Sequence, residues 1–148
     1  MSRFKGLLTK NLTEKLEAFE KAKTDLNSVV SEINEVILRE GDGLAELKLD
    51  TVFEDMDHII LALNIQDKYR GTYSQSIDSY KISSQGYPIR QGVWLPRQSN
   101  PPERFSHRNT FQKKEDIEEH FAKFLTEPQS PILIFLSFIK RKTNEALF

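Results

Sequence analysis

Leu12, Leu16, Phe19, Lys23, Leu26, Val30, Ile33 and Ile37 recur at steps of four and three, and seven of these eight positions are apolar. Such a seam predicts one long amphipathic helix over residues 11–39, because side chains at those steps fall on a single face. Asn11 followed by Glu14 reads as an N-cap with its reciprocal carboxylate, and Gly41 and Gly43 stop the run. A helix of that span is ~43 Å long, against ~38 Å for a compact domain of this size. It therefore crosses the whole molecule or overhangs it. Its seam must be covered, either by the chain's own sheet, which is the expectation, or by a second copy in a homodimer through the long helix. Lys23 on the seam would limit the choice of oligomer.

Beyond the glycines the period changes to two. Leu47, Leu49, Thr51 and Phe53 alternate with Glu46, Lys48 and Asp50, and Ile59, Leu61, Leu63 and Ile65 form a second alternating set. Ser76 to Ser84 and Ile89 to Leu95 are two further strands, the last carrying Val93 and Trp94. The short turns between them predict an antiparallel meander over 46–95. Pro96, Asn100, Pro101 and Pro102 predict a loop over 96–111. Ile117, Phe121, Phe124 and Leu125 then mark a helix that Pro128 ends. Ser130–Pro131 opens another up to Lys142, although Ile132 to Leu136 would also suit a buried strand. The expectation is a single α+β domain over 1–148. In it the long N-terminal helix and two C-terminal helices, within 114–142, pack on one face of a four-stranded antiparallel meander, as a two-layer sandwich.

With no cysteine, the chain has no disulfide framework, no thiolate nucleophile and no sulfur-ligated zinc. Mean hydropathy of −0.52 and the lack of a long apolar run predict a cytoplasmic protein, with no signal peptide and no membrane partner. The net charge of −1 conceals an uneven distribution. Residues 11–57 hold thirteen acidic and five basic residues, whereas 85–113 hold Arg90, Arg97, Arg104, Arg108 and Lys113 against Glu103 alone.

Chemistry-bearing motifs are sparse. Asp116 and His120 have the i, i+4 spacing of metal ligands, but two such residues on a charged helix face do not make a site, and no metal or other cofactor is expected. His58 reads as a hairpin-end residue, and His107 has no partner identifiable from spacing. Asp57 with Gln66-Asp67-Lys68 has the letters of a nuclease metal site, as does Asp42 with Glu46-Leu47-Lys48. The first set would lie along one strand, its ends ~30 Å apart, and the second is too close for adjacent strands. The constellation that stands out is Tyr87, Arg90, Trp94, Arg97, Arg104 and Arg108, with Phe105 and Phe111 among them. Tyrosine, tryptophan and arginine dominate interface energetics, so the leading reading is a non-catalytic module that binds a protein partner as adaptor, chaperone, inhibitor or immunity-type protein. The alternative is nucleic-acid binding by the basic, aromatic hairpin and loop 85–113. A metal-dependent, nuclease-like enzyme is the third reading, and no catalytic residue can be named for it.

Overall fold

The computed structural model describes residues 2–68, 73–94 and 105–146. Helix α1 runs Arg3–Glu40, thirty-eight residues and ~57 Å. It begins eight residues before the sequence-based start, with the Ser2 side chain accepting from the Phe4 N–H as N-cap. Asn11 is not the cap. Its side-chain amide donates to the Leu7 carbonyl, one turn back inside the helix, and Thr13 does the same to Thr9. At the far end the Gly41 N–H bonds to the Ile37 carbonyl and the Gly43 N–H to the Leu38 carbonyl.

The strands are β1 (Ala45–Glu54), β2 (His58–Asp67), β3 (Ser74–Ser83), β4 (Gly86–Trp94) and β5 (Phe105–Phe111). They form one antiparallel sheet in the order β1-β2-β3-β4-β5, a meander as expected but with five strands where four were predicted. The extra strand occupies part of the expected loop 96–111. Its residues 106–110 are all exposed, so it carries no apolar alternation for a reader to find. It is held instead by backbone pairing with β4. At Gly92 an added Cβ would stand 2.0 Å from the Ser106 carbonyl oxygen, so the absent side chain is what lets the two strands close.

Cross-strand register sets the core. Thr51, Leu61, Tyr80, Gln91 and Asn109 form one row across the sheet, and Leu49, Leu63 and Asp78 lie in the next. Helices α1, α2 (Lys114–Thr126) and α3 (Pro131–Ala146) cover this face. Segment 131–142, ambiguous in sequence, is helical. Its Ser130 hydroxyl accepts from the Leu133 N–H and donates to the Phe124 carbonyl, tying α3 to the end of α2. Ala22, Leu26, Val29, Val30 and Ile37 of α1 are buried with Leu61, Leu63, Tyr80, Ile82, Ile89, Ile117, Phe121 and Ile132. Asn34 Oδ1 accepts from the Leu47 N–H at 2.7 Å, pinning α1 to the β1 edge. Lys140 Nζ donates to the Glu40 carbonyl at 3.1 Å, placing a cation where the helix end is partially negative.

The sheet stops short of the helix. Gly86, at the β3–β4 turn with φ +84°, would place a Cβ 2.3 Å from the Ala18 carbonyl oxygen, so turn and helix backbone meet there. N-terminal to that contact, residues 3–18 of α1 are exposed throughout. The overhang is ~24 Å of helix that the sheet leaves exposed.

Candidate functional site

Two surfaces can be built from these elements. The first is a cleft where α2 meets β3, β4 and β5. Asp78 projects from β3 on the helix-covered face, with its side chain only 3% exposed. His120 of α2 places Nε2 2.8 Å from Asp78 Oδ2, while the Gln91 side-chain amide donates to the other carboxylate oxygen. Asn109 donates in turn to Gln91 Oε1 at 2.7 Å. The result is a continuous polar chain across three strands and one helix, with both carboxylate oxygens engaged. The rings of Phe111, Phe121 and Phe124 surround His120 at centroid distances of 4.7–5.6 Å. Beside Asp78, Tyr80 is fully buried. Its hydroxyl is pushed well above the usual range, first by burial and then by the Asp78 charge, and it has no well-aligned hydrogen-bond partner among the described residues.

A cavity of about 380 Å³ opens over this chain, lined by Ile77, Asp78, Gln91, Trp94, Arg108 and Phe124 among others. Trp94 and Arg108, two of the sequence-predicted residues, meet there. Asn109 pairs with Gln91 and His107 with Gly92, so Arg108 is the extra residue of a β-bulge, and that bulge turns it onto the cleft. The Trp94 indole N–H is buried without an acceptor among the described residues. Chemically, the cleft offers an unsatisfied donor, a cation and apolar walls. Its histidine and carboxylate are already committed to each other.

The other predicted residues lie elsewhere. Tyr87 is at the opposite end of β4, where its hydroxyl donates to Asp25 of α1 at 2.7 Å. Lys21 also bonds Asp25, at 2.9 Å. Burial pushes the Asp25 carboxyl up, but the Lys21 and Tyr87 hydrogen bonds outweigh it and hold the group below its usual value. Burial, then the bond to Asp25, raises the Tyr87 hydroxyl well above its own. Arg90 is exposed and alternates with Gln91, so it lies on the face away from the helices. Arg97 and Arg104 lie outside the described residues.

The spacings that resembled metal motifs resolve into local contacts. Asp116 accepts from the Gln112 N–H, while His120 turns to Asp78. Glu46 accepts from Gln66 across the β1–β2 ladder at 2.6 Å. His58 stacks on Phe53 beside Asp55. His107 Nε2 is 2.8 Å from the Thr110 hydroxyl. Sequence spacing could not reveal the Asp78–His120 pair, because forty-two positions separate its members. The available signal was Asp78 itself, a charge on the apolar phase of a strand.

The second surface is the overhang of α1. Phe4 is 78% exposed and Leu8 68%, and Leu7, Leu12 and Leu16 are also exposed. Eighteen residues make five helical turns. Phe4, Leu8 and Leu12 therefore lie in line with Ala22, Leu26 and Val30, which face the core. The exposed stripe is the core-facing stripe continued past the sheet. At its base a groove of about 460 Å³ is lined by Leu12, Leu16, Phe19, Met56 and Ile59, with Met56 on the β1–β2 turn 95% exposed. Leu12 and Leu16, expected to find cover on the sheet, border its end and remain exposed.

No helix among the described residues is long and apolar enough to cross a membrane. In comparisons with known proteins, no family model, no curated protein and no solved structure matches the chain.

Proposed function

We propose that this chain is a non-catalytic cytoplasmic module that works by binding a protein partner, and that the overhanging face of α1 is its principal contact. The observation that carries this reading is the row Phe4, Leu8, Leu12 and Leu16, exposed on one side of a helix whose continuation is a core face. Contiguous exposed apolar surface of this kind marks interaction sites, because isolated in water it gains nothing from being aligned. A helix laid against a protein groove is a common mode of recognition and is read as anchors at i, i+4 and i+8. The lack of cysteine is in keeping with a reducing compartment.

The cleft supports binding rather than catalysis. Asp78 and His120 are each other's partners, and Gln91 and Asn109 complete a network that ties strands to helix. Trp94 and Arg108 form a secondary contact area, of the residue types that anchor interfaces.

A photo-crosslinking residue at Leu8 tests the reading in cells, with Glu17, on the opposite side of the helix, as control. The expected result is a discrete protein adduct from position 8 and none from position 17. Absence of any protein adduct at position 8 overturns the proposal.

A further inference from the structure

We infer that the occupant of the overhang is a second copy of this chain, laid antiparallel so that the two α1 overhangs cover each other. This rests on the proposed function and names the partner of that same surface.

The first argument is charge. Arg3, Lys5 and Lys10 stand in the first thirteen residues with no Asp or Glu among them, whereas Glu14, Glu17 and Glu20 follow against Lys15. The overhang is thus basic at its free end and acidic where it joins the fold. A parallel partner would set like charges side by side. An antiparallel partner centred on Leu12 brings Lys5 about level with Glu20. At about 100° per residue, Lys5 and Glu20 lie on the same side of the apolar stripe, whereas Lys10 and Glu14 point away from the partner. In antiparallel helix pairs that side meets its own equivalent, so the Lys5–Glu20 attraction occurs twice by symmetry. The positive helix N-terminus of each copy also approaches the acidic stretch of the other.

The second argument is shape. With Leu12 at the two-fold, Leu8 of one copy faces Leu16 of the other, and Phe4 reaches the level of Phe19. At that level lies the groove of about 460 Å³ bounded by Leu16, Phe19, Met56 and Ile59. The ring of Phe4, the most exposed apolar side chain of the overhang, would enter the groove that the overhang and the β1–β2 turn form on the partner. The surface is therefore self-complementary in shape as well as charge, which a flat lipid surface would not require.

Sedimentation of the full chain tests this, with a dimer of the 17.2 kDa chain expected. Leu8→Asp with Leu12→Asp should weaken the dimer by more than roughly a hundredfold, as loss of two buried leucines per copy implies. Both positions lie outside the core, so the variant's circular dichroism checks that the fold is kept. Lys5→Glu and Glu20→Lys should each self-associate poorly and pair with each other when mixed. Because the chain has no cysteine of its own, Lys5→Cys mixed with Glu20→Cys should form a disulfide between the two variants, while Lys5→Cys alone should form none. A monomeric wild type overturns the inference, as does a Lys5→Cys homodisulfide, which reports parallel pairing. Binding of the monomer to phosphatidylserine vesicles through the same leucines also overturns it. A monomer whose position 8 crosslinks a different protein defeats the second-copy inference and leaves the proposed function standing.

Discussion

His120 Nε2 lies 2.8 Å from Asp78 Oδ2, so a single ring fastens α2 to the middle strand of the sheet. Asp78 is buried, and its second oxygen serves Gln91. Asp78→Ala strands both donors and should cost about 2–3 kcal/mol. His120→Ala should cost less, since Gln91 still satisfies part of the carboxylate. A double-mutant cycle by urea denaturation should give a coupling of about 1 kcal/mol or more, and additivity would show that the contact holds nothing together.

The Asp25–Tyr87 bond predicts pH dependence at both ends of the scale. Asp25 has a lowered folded-state value, so its contribution is complete above about pH 4 and is lost as pH falls through the folded value. Tyr87 has a raised one, so its contribution is complete below about pH 10 and is lost as pH climbs beyond that. Asp25→Asn should flatten the acid limb of a stability profile, and Tyr87→Phe should make the alkaline limb shallower. Unchanged limbs would mean the bond is absent in solution.

Two glycines mark backbone contacts that tolerate no side chain. Gly86→Ala meets both a positive φ and the Ala18 carbonyl, and should cost more than about 1 kcal/mol. Gly92→Ala drives a Cβ into the Ser106 carbonyl and should free β5 selectively. Faster amide hydrogen exchange over residues 105–111, with β2 and β3 unaffected, is the expected signature.

Trp94 is the chain's sole tryptophan, so its emission reports on the cleft directly. Trp94→Phe removes a buried donor that has no acceptor among the described residues and should change stability by less than about 1 kcal/mol. Trp94→Ala, which opens the cavity further, should cost about 2 kcal/mol for this partly buried ring. Equal costs for the two would show that the indole N–H is satisfied after all.

What the sequence made legible follows from periodicity. The heptad-like steps from Phe19 to Ile37 and the alternation from Leu47 to Ile65 identify helix, strands and the face each buries. Ser130–Pro131 placed α3 where propensity alone left a choice. Two kinds of feature were hidden. One was structure held by backbone rather than side chains, as in β5, whose exposed residues look like loop. The other was ambiguity between local roles. Asn11 has the chemistry of a cap, yet spends it on the Leu7 carbonyl within the helix. At the cleft, composition brought Trp94 and Arg108 into one group, but only the fold separates them from Tyr87 and Arg90.

The length of α1 beyond Gly86 bears on how its free end forms. A peptide of sixteen residues containing Gly6 would be a marginal helix alone, because the first turn fixes several dihedral angles for one hydrogen bond. Here that unfavourable step is already complete in the stretch from Ala22 to Ile37, which tertiary contacts hold wound. The amino-terminal residues need only add turns to an existing template. The proposed docking face is thereby held in fixed angular phase with the core, and altering the phase of one necessarily rotates the other.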